Sequence, residues 1–458
     1  SLPCSASQLL SFVEMIYSGK NAVVLGLGHS GEAAALLLNE EGAQVTICES
    51  GDRQDLREKA VALEAQGIRV LLGSLADTDP VTYDVAVLSP GIDPAVPLVQ
   101  NVEGKNIPII GELELAFEEC SCPTVAITGT NGKTTTTELT TGMLKACGVR
   151  TMSSGNIGLP FATAVRSSHE LDVMVLEVSS FQLETIRTFR PQVSVWLNLS
   201  PNHLDRYPGM KEYREAKLRI FENQTSTDIA VVNAVSDLPP LAARRITFSA
   251  HRQDADFTLQ GTRIFFQGQP VLDQEETKLP GIHNAENLMA AMAIGHALDV
   301  EFDIMAGAVT DYTAPAHRCE FVRDLDGVRW INDSKATNLD AMEMAIRSQK
   351  SPIVLIAGGK DKGCEFDAIA PLVRERVRSA VLIGEMKDRI AGSWAGVECH
   401  KAETLEEAVI LAGKLAKPGD VVLFSPGTSS FDMFRNYGER GNLFKKYTQQ
   451  LEPTLKTP

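Results

Sequence analysis

Short apolar runs alternate with longer amphipathic stretches along nearly the whole chain. Residues 21–27 (NAVVLGL) read as a buried strand, 31–41 (GEAAALLLNEE) as a helix closed by Gly42, 45–48 as a second strand and 84–88 as a later one. A second series starts near Pro123, with a strand at 124–128, a helix at 133–147 ended by Gly148, and apolar strands at 173–178 and 193–197. Uninterrupted apolar strands of this kind suit a parallel sheet covered on both faces. Between 249 and 278 the pattern changes to polar–apolar alternation with Gly turns (DFTLQGTRIFFQGQPVL), which predicts antiparallel hairpins at a sheet edge. A third series begins near 312–315, with strands at 352–357, 380–383 and 420–424. It also holds a helix over 404–416 that opens on a capping box, Thr404 to Glu407. Strand–helix alternation implies parallel sheets. The expected fold class is therefore α/β, with three consecutive domains at 1–112, 113–313 and 314–458.

Composition narrows the partners. The 458 residues are 44% hydrophobic and 22% charged, which excludes wholesale disorder. The net charge of −16 argues against nucleic acid, because phosphate neutralisation needs clustered Lys and Arg on a surface. Anionic small molecules remain possible ligands, held by helix N-termini and a few placed lysines. The eight cysteines form no C-x-x-C pair, so they read as reduced residues of a cytoplasmic protein. No apolar run reaches the length of a membrane span, and no charged-then-apolar leader pattern opens the sequence.

Two Gly-rich turns carry the first candidate chemistry. Gly26-Leu-Gly28-His29-Ser30-Gly31 follows a strand and opens a helix, with Glu49 at the end of the next strand 18 residues on. This spacing fits the dinucleotide fingerprint, but any diphosphate would suit such a turn, and NAD is one candidate among several. Gly129-Thr130-Asn131-Gly132-Lys133-Thr134-Thr135 also joins a strand to a helix. Its glycines are separated by two residues where the standard phosphate loop has four. The parts still make a phosphate cradle: glycines for close backbone approach, a lysine charge for the β- and γ-phosphates, and a Thr134 hydroxyl within reach of Mg²⁺.

Several single residues add to it. Glu177 ends the apolar strand VMVLE, a position that faces the ligand crevice of an open parallel sheet. His203 and Asp205 follow the next strand in the loop NLSPNHLDRY. Lys217 lies in KEYREAKLRIFEN, where positions 213, 216, 217, 220 and 221 share one face as Tyr, Ala, Lys, Ile and Phe. A snorkelling lysine at the edge of that stripe is one reading. A buried lysine, left neutral by desolvation and free to react, is the other.

The third series offers three polar loops, each after a strand: Trp330-Ile-Asn332-Asp333-Ser334-Lys335-Ala-Thr337-Asn338, then Gly358-Gly359-Lys360-Asp361-Lys362-Gly363, then Ser425-Pro-Gly-Thr-Ser-Ser430-Phe431-Asp432. Three such loops at one end of one sheet suggest a single crevice.

In order along the chain, AITGTNGKTTT, SGNIGLP, LEVSSFQLE, NHLDRY, YREAKLRIF, GIHNAENLMAA, HRCEFV and WINDSKATN resemble the Mur ligases. SSFQLE and NDSKATN point to the branch that adds D-glutamate, and the D-N-P-R motif of the diaminopimelate-adding branch is absent. The resemblance covers nearly everything beyond residue 20. It implies a monomer made of an N-terminal Rossmann-like domain, a central phosphate-loop ATPase-like domain and a C-terminal Rossmann-like domain. It also implies an activity, the ATP-dependent addition of D-glutamate to UDP-N-acetylmuramoyl-L-alanine through an acyl phosphate, in peptidoglycan precursor synthesis.

Carried over by position, Gly129, Thr130, Asn131, Gly132, Lys133, Thr134, Thr135, Asn284, Asn287, Arg318, Asp333 and Lys335 would bind ATP. Thr134, Glu177, His203 and a CO₂-derived carbamate on Lys217 would hold Mg²⁺ at two sites. Asn156 and His203 would face the reacting carboxylate. Gly28, His29, Ser30, Glu49, Ser50 and Ser89 match the uridine-diphosphate site, and Thr337, Lys362, Ser430, Phe431 and Tyr437 the D-glutamate site. The chain departs from some relatives at Lys360 (acidic there), Tyr437 (Phe there) and Glu49-Ser50 (Thr-Arg there). Two other readings compete: a folylpolyglutamate synthase or another superfamily member, and an NAD(P)-dependent oxidoreductase read from GLGHSG alone. A non-catalytic nucleotide-binding regulator is a third. One observation separates them, namely which of ATP, a UDP-sugar and NAD binds.

Overall fold

The computed structural model describes residues 16–73, 76, 82–202, 206–310, 312, 316–360 and 366–453. The expectations placed on His203, Asp205 and Lys362, and the start of the third series at 313–315, lie outside the described residues.

The α/β class holds, with one sheet for each predicted series. The first sheet contains β1 (Asn21–Leu25), β2 (Gln44–Glu49), β3 (Arg69–Leu72), β4 (Val85–Leu88) and β5 (Ile109–Gly111) in the order β3-β2-β1-β4-β5, all parallel. Helix α1 (His29–Glu40) follows β1 and buries its Ala and Leu face, while α2 (Glu112–Glu118) follows β5. A strand order that turns at β1 places the β1 and β4 ends at the switch point where such sheets bind ligands.

The second sheet has nine strands: β6 (Thr124–Thr128), β7 (Thr151–Gly155), β8 (Val173–Glu177), β9 (Val193–Trp196), β10 (Ile229–Asn233), β11 (Arg244–Ser249), β12 (Phe257–Gln260), β13 (Arg263–Phe266) and β14 (Gln269–Asp273). Their order is β14-β13-β12-β11-β10-β9-β6-β8-β7. The stretch of alternating pattern forms antiparallel β12–β13–β14, as its periodicity predicts. Helix α3 (Lys133–Ala146) follows β6, α4 (Met210–Leu218) follows β9, and α5 (Ile282–Ala297) follows the hairpins. The α5 helix is apolar almost all round and correspondingly buried.

The third sheet runs β15-β16-β20-β17-β18-β19, built from β15 (Glu320–Leu325), β16 (Val328–Asn332), β17 (Ile353–Gly358), β18 (Val377–Ile383), β19 (Glu398–Lys401) and β20 (Val421–Phe424). Edge strand β15 pairs antiparallel with β16. Its alternating half-exposed residues give little apolar signal, which is why the sequence reading passes over it. Helix α6 (Leu405–Leu415) opens on the capping box read from the sequence, with Thr404 and Glu407 bonded reciprocally. Helix α7 (Tyr437–Gln450) is capped by the Asn436 side chain.

Compactness groups the chain into two units. Ser154–Met174 and Ser179–Arg190 go with the N-terminal residues up to Pro123, and the remainder forms the second unit. In the first unit two buried carboxylates hold backbone in place. Glu112 Oε1 accepts the Ala162 N–H at 2.6 Å, and Glu114 accepts the N–H groups of Arg187, Thr188 and Phe189 at 2.6–3.0 Å. Burial pushes the Glu112 carboxyl up to about 7.

Candidate active site

In the second unit, the chain leaves β6 through a tight loop. Gly129 and Gly132 take positive φ, and a Cβ on Gly132 would meet Asn287 Oδ1 at 2.5 Å. Only glycine fits there. Asn198 fastens the loop from the side: its Oδ1 accepts the N–H groups of Thr130 and Asn131 at 3.1 and 2.9 Å, and its Nδ2 donates to the Asn131 carbonyl at 3.1 Å. Sequence reasoning passes over Asn198; a lone Asn after a strand carries no chemical motif. Thr130 Oγ1 accepts the Ser200 N–H at 3.0 Å and lies 3.3 Å from the Tyr213 hydroxyl. Asn287 Oδ1 accepts from Thr136 Oγ1 at 3.2 Å, and its Nδ2 donates to Asn284 Oδ1 at 3.3 Å. Asn287 therefore packs against the loop at Gly132, with Asn284 bonded behind it.

Lys133 begins α3 and folds back, its Nζ donating to the Gly129 and Thr130 carbonyls at 2.9 and 2.8 Å. Burial pulls its ammonium down to about 8; Glu177 favours the charge, while Arg318 and Lys335 oppose it. Thr134 and Thr135 follow, both buried. Glu177 ends β8 and is 2% exposed. The C-terminal end of a central strand is where the sequence reading puts it.

Lys217 is also 2% exposed, so the snorkelling reading fails. Its four partners on the helix face, Tyr213, Ala216, Ile220 and Phe221, are buried with it. Nζ donates to the Gly129 carbonyl at 3.0 Å and to Thr128 Oγ1 at 3.3 Å, and lies 4.9 Å from the centre of the Tyr213 ring. Burial, reinforced by the Lys133 charge, holds its amine well below the ordinary lysine range, with Glu177 opposing. An amine whose charged form is disfavoured thus sits against the phosphate loop.

The same unit brings strand ends of the third sheet into this field. Asn338 Nδ2 approaches Asn131 Oδ1 at 3.4 Å. Lys335 stands 3.9 Å over the Tyr437 ring, and burial lowers its ammonium to about 8. Arg318 lies between His317 and Cys319, both of which take positive φ. That turn is clamped: Cys319 N–H donates to Asp333 Oδ1 at 3.1 Å, and His317 N–H to Glu320 Oε2 at 2.9 Å. Asp333 is buried, and its other oxygen accepts from Ser425 Oγ at 2.7 Å. Asp333 therefore fixes the backbone around Arg318, a role its motif does not reveal. Thr337 is half-buried, Ser430 buried and Phe431 66% exposed.

The first unit holds its own loop. Gly28 caps α1, with His29 exposed and Ser30 half-buried in the first turn. A Cβ on Gly31 would fall 2.0 Å from the Gly26 carbonyl, so the helix starts hard against the strand end. Ser89 Oγ donates to that carbonyl at 3.4 Å. Glu49 accepts the Leu27 N–H at 2.9 Å and the Gly51 N–H at 2.8 Å. The carboxylate at the end of β2 thus braces the Gly-rich turn. Ser50 is exposed, as is Asn156 after β7. Among the described residues no three His, Cys, Asp or Glu side chains cluster as a metal site.

These features define a family. The Mur ligase MurD-like N-terminal domain matches residues 20–111, the Mur ligase middle domain 127–295 and the Mur ligase glutamate ligase domain 317–427. The chain belongs to the Mur ligase family. It is 44% identical over 442 residues to the UDP-N-acetylmuramoylalanine–D-glutamate ligase of Geobacter metallireducens, covering 94% of this chain and 97% of that protein. The enzyme of the same description from Pelobacter propionicus is 43% identical, with 94% and 98% covered. Among solved structures, the MurF ligase of Thermotoga maritima in complex with ADP superposes with a TM-score of 0.62 at 16% identity, covering 95% of this chain and 97% of that one. At that identity the likeness bears on fold alone. The oxidoreductase and non-catalytic readings are set aside by these matches.

Proposed function

We propose that this chain is an ATP-dependent ligase that joins D-glutamate to UDP-N-acetylmuramoyl-L-alanine in peptidoglycan precursor synthesis. Relatives of that description at 40–44% identity over nearly the full length support the substrate pair. The geometric observation that carries the chemistry is the buried Lys217 amine 3.0 Å from the Gly129 carbonyl of the phosphate loop.

The domains divide the work at 112/113 and 313/314: UDP-sugar on the first, ATP on the second, D-glutamate on the third. The substrate carboxylate attacks the γ-phosphate of ATP, giving an acyl phosphate and ADP. The D-glutamate amine then attacks the acyl carbon, and phosphate leaves with the bonding pair. Lys133 meets the β- and γ-phosphates and offsets the charge that develops there. For this it exchanges its bonds to the loop carbonyls for bonds to phosphate. Arg318 and Lys335 add charge from the third sheet. Asn156 and His203 orient the reacting carboxylate.

The donor chemistry suits Mg²⁺, since Thr134 and Glu177 offer hard oxygens. A carbamate on Lys217, formed as its neutral amine attacks CO₂ and releases a proton, adds another, and His203 completes the second of two sites. Bound there, Mg²⁺ supplies positive charge to the phosphates. Gly28, His29, Ser30, Glu49, Ser50 and Ser89 serve the uridine diphosphate, while Thr337, Lys362, Ser430, Phe431 and Tyr437 serve D-glutamate. We place the protein in the cytoplasm as a monomer. No described helix is long and apolar enough to cross a membrane.

The test is phosphate release from ATP. It is expected only when UDP-N-acetylmuramoyl-L-alanine, D-glutamate and Mg²⁺ are all present. Steady release with ATP alone, or equal release with L-glutamate, overturns the reading.

A further inference from the structure

One buried charge has no part in this scheme. Arg440, on the first turn of α7, is 1% exposed. All five of its N–H donors are directed at protein oxygens. Nε donates to Ser334 Oγ at 3.0 Å, Nη1 to the Thr428 and Ser429 carbonyls at 3.2 Å each, and Nη2 to the Ser334 and Thr428 carbonyls at 2.8 and 3.2 Å. Ser334 Oγ in turn donates to the Tyr437 carbonyl at 2.8 Å. Gly359 and Lys360, just after β17, lie on the Ser429 carbonyl. Lys360 N–H donates to the Ser429 carbonyl at 3.0 Å, and a Cβ on Gly359 would come 2.3 Å from that oxygen. One guanidinium therefore ties together the loops after β16 and β20 and the start of α7, with Gly359 and Lys360 laid against them.

Its placement is costly in two ways. Carbonyls and a hydroxyl satisfy its hydrogen bonds without neutralising its charge. It also sits at a helix N-terminus, where the dipole favours anions over cations. Burial draws the guanidinium down to about 9, with Asp432 and Asp333 opposing, so it stays charged at neutral pH. In a trans peptide the carbonyl and the next N–H point in opposite directions. With the Ser429 carbonyl turned onto Arg440, the Ser430 N–H is turned away from it. Arg440 and the α7 N-terminus together thus make a positive field beneath the Ser430–Phe431 loop. An anion on the far side of that loop would relieve both costs.

We propose that Arg440 is a positioning residue for the amino-acid substrate, fixing the Thr428–Ser430 backbone and lending it charge so that the loop receives a carboxylate of D-glutamate. This rests on the D-glutamate assignment above. The substrate does not touch Arg440; it is held by the loop that Arg440 shapes.

KM values for all three substrates in wild type, Arg440→Gln, Arg440→Lys and Ser334→Ala decide it. Arg440→Gln should raise the KM for D-glutamate at least tenfold, with the KM for ATP and for the UDP-sugar within about twofold. Arg440→Lys keeps the charge and fewer donors, so its D-glutamate KM should fall between wild type and Arg440→Gln. Ser334→Ala removes one hydrogen bond and no charge, and should raise that KM by about threefold. Equal changes in all three KM values, or a lower kcat with an unchanged D-glutamate KM, overturn the proposal. If Arg440→Gln does not fold, an unchanged D-glutamate KM in both Arg440→Lys and Ser334→Ala overturns it just as well. Failure of the wild type to use D-glutamate would instead overturn the functional reading.

Discussion

The two compact units treat buried charge in opposite ways. In the first, the buried charges among the described residues are the carboxylates Glu112 and Glu114, and both accept backbone N–H groups. Half-buried Glu49 does the same at the Gly-rich turn. In the second unit carboxylates are buried too, but so are Lys217 and Arg440, with Lys133 half-buried beside the phosphate loop. All three donate to carbonyl and hydroxyl oxygens, which meet their hydrogen-bonding needs without an ion pair; burial disfavours the charge on each, and carboxylates farther off (Glu177, Asp333, Asp432) favour it. A carboxylate bonded to backbone N–H groups holds structure, although burial still disfavours the Glu112 charge. A buried cation bonded only to neutral oxygens is compensated best by an anion from outside. The difference sets the second unit apart as the one with buried nitrogen donors suited to anions, in a chain whose net charge is −16.

The comparison breaks most sharply at the lysines. Lys133→Ala and Lys217→Ala should each lower kcat/KM about a thousandfold while leaving the fold intact, since charge stabilisation at a phosphoryl transition state is worth several kcal/mol. Short carboxylic acids should restore part of the Lys217→Ala activity by standing in for the carbamate. Full activity in Lys217→Arg, which cannot be carbamylated, would show that the amine needs no CO₂.

Next comes the carboxylate side. Glu112 has its pKa raised to about 7 in the folded protein, so its contribution to stability is complete below the unfolded carboxylate range and is lost as pH rises through about 7. Glu112→Gln should flatten that fall between pH 5 and pH 8 by on the order of 3 kcal/mol. Urea unfolding at the two pH values measures it, and an equally steep fall in the variant would mean that Glu112 is not the group responsible.

A third effect concerns the turn of the first unit, which offers a helix N-terminus and no buried lysine or arginine among its described residues. A UDP-sugar should protect against unfolding by about 2.7 kcal/mol at a hundred times its dissociation constant. Equal protection by NAD would reduce the turn to a general diphosphate site.

The smallest effect is at the amino-acid end. Lys362→Ala should raise the KM for D-glutamate about tenfold, or about 1.4 kcal/mol, with the other two KM values unchanged. An unchanged D-glutamate KM removes Lys362 from the site.

The sequence by itself determined the α/β class, the strand that precedes each loop and the glycines of both turns. Each of these is local: periodicity, capping and the φ requirement of a turn are properties of a few adjacent residues. Lys217 was legible in part for the same reason: its place on an apolar helix face marked it as unusual, while only the structure decided between a snorkelling and a buried lysine. Only the tertiary structure decided what the charges do. Asn198 fastens a loop 67 residues away, Asp333 braces the backbone around Arg318, and Arg440 joins Ser334 to Thr428 and Ser429. None of these partners shares a helix face or a strand register with the residue it serves. Strand ends distant in sequence meet at one edge of a parallel sheet because each crossover returns the chain to the same end. A motif can therefore name a carboxylate or a guanidinium, but which oxygen or N–H it meets depends on the packing of the whole sheet.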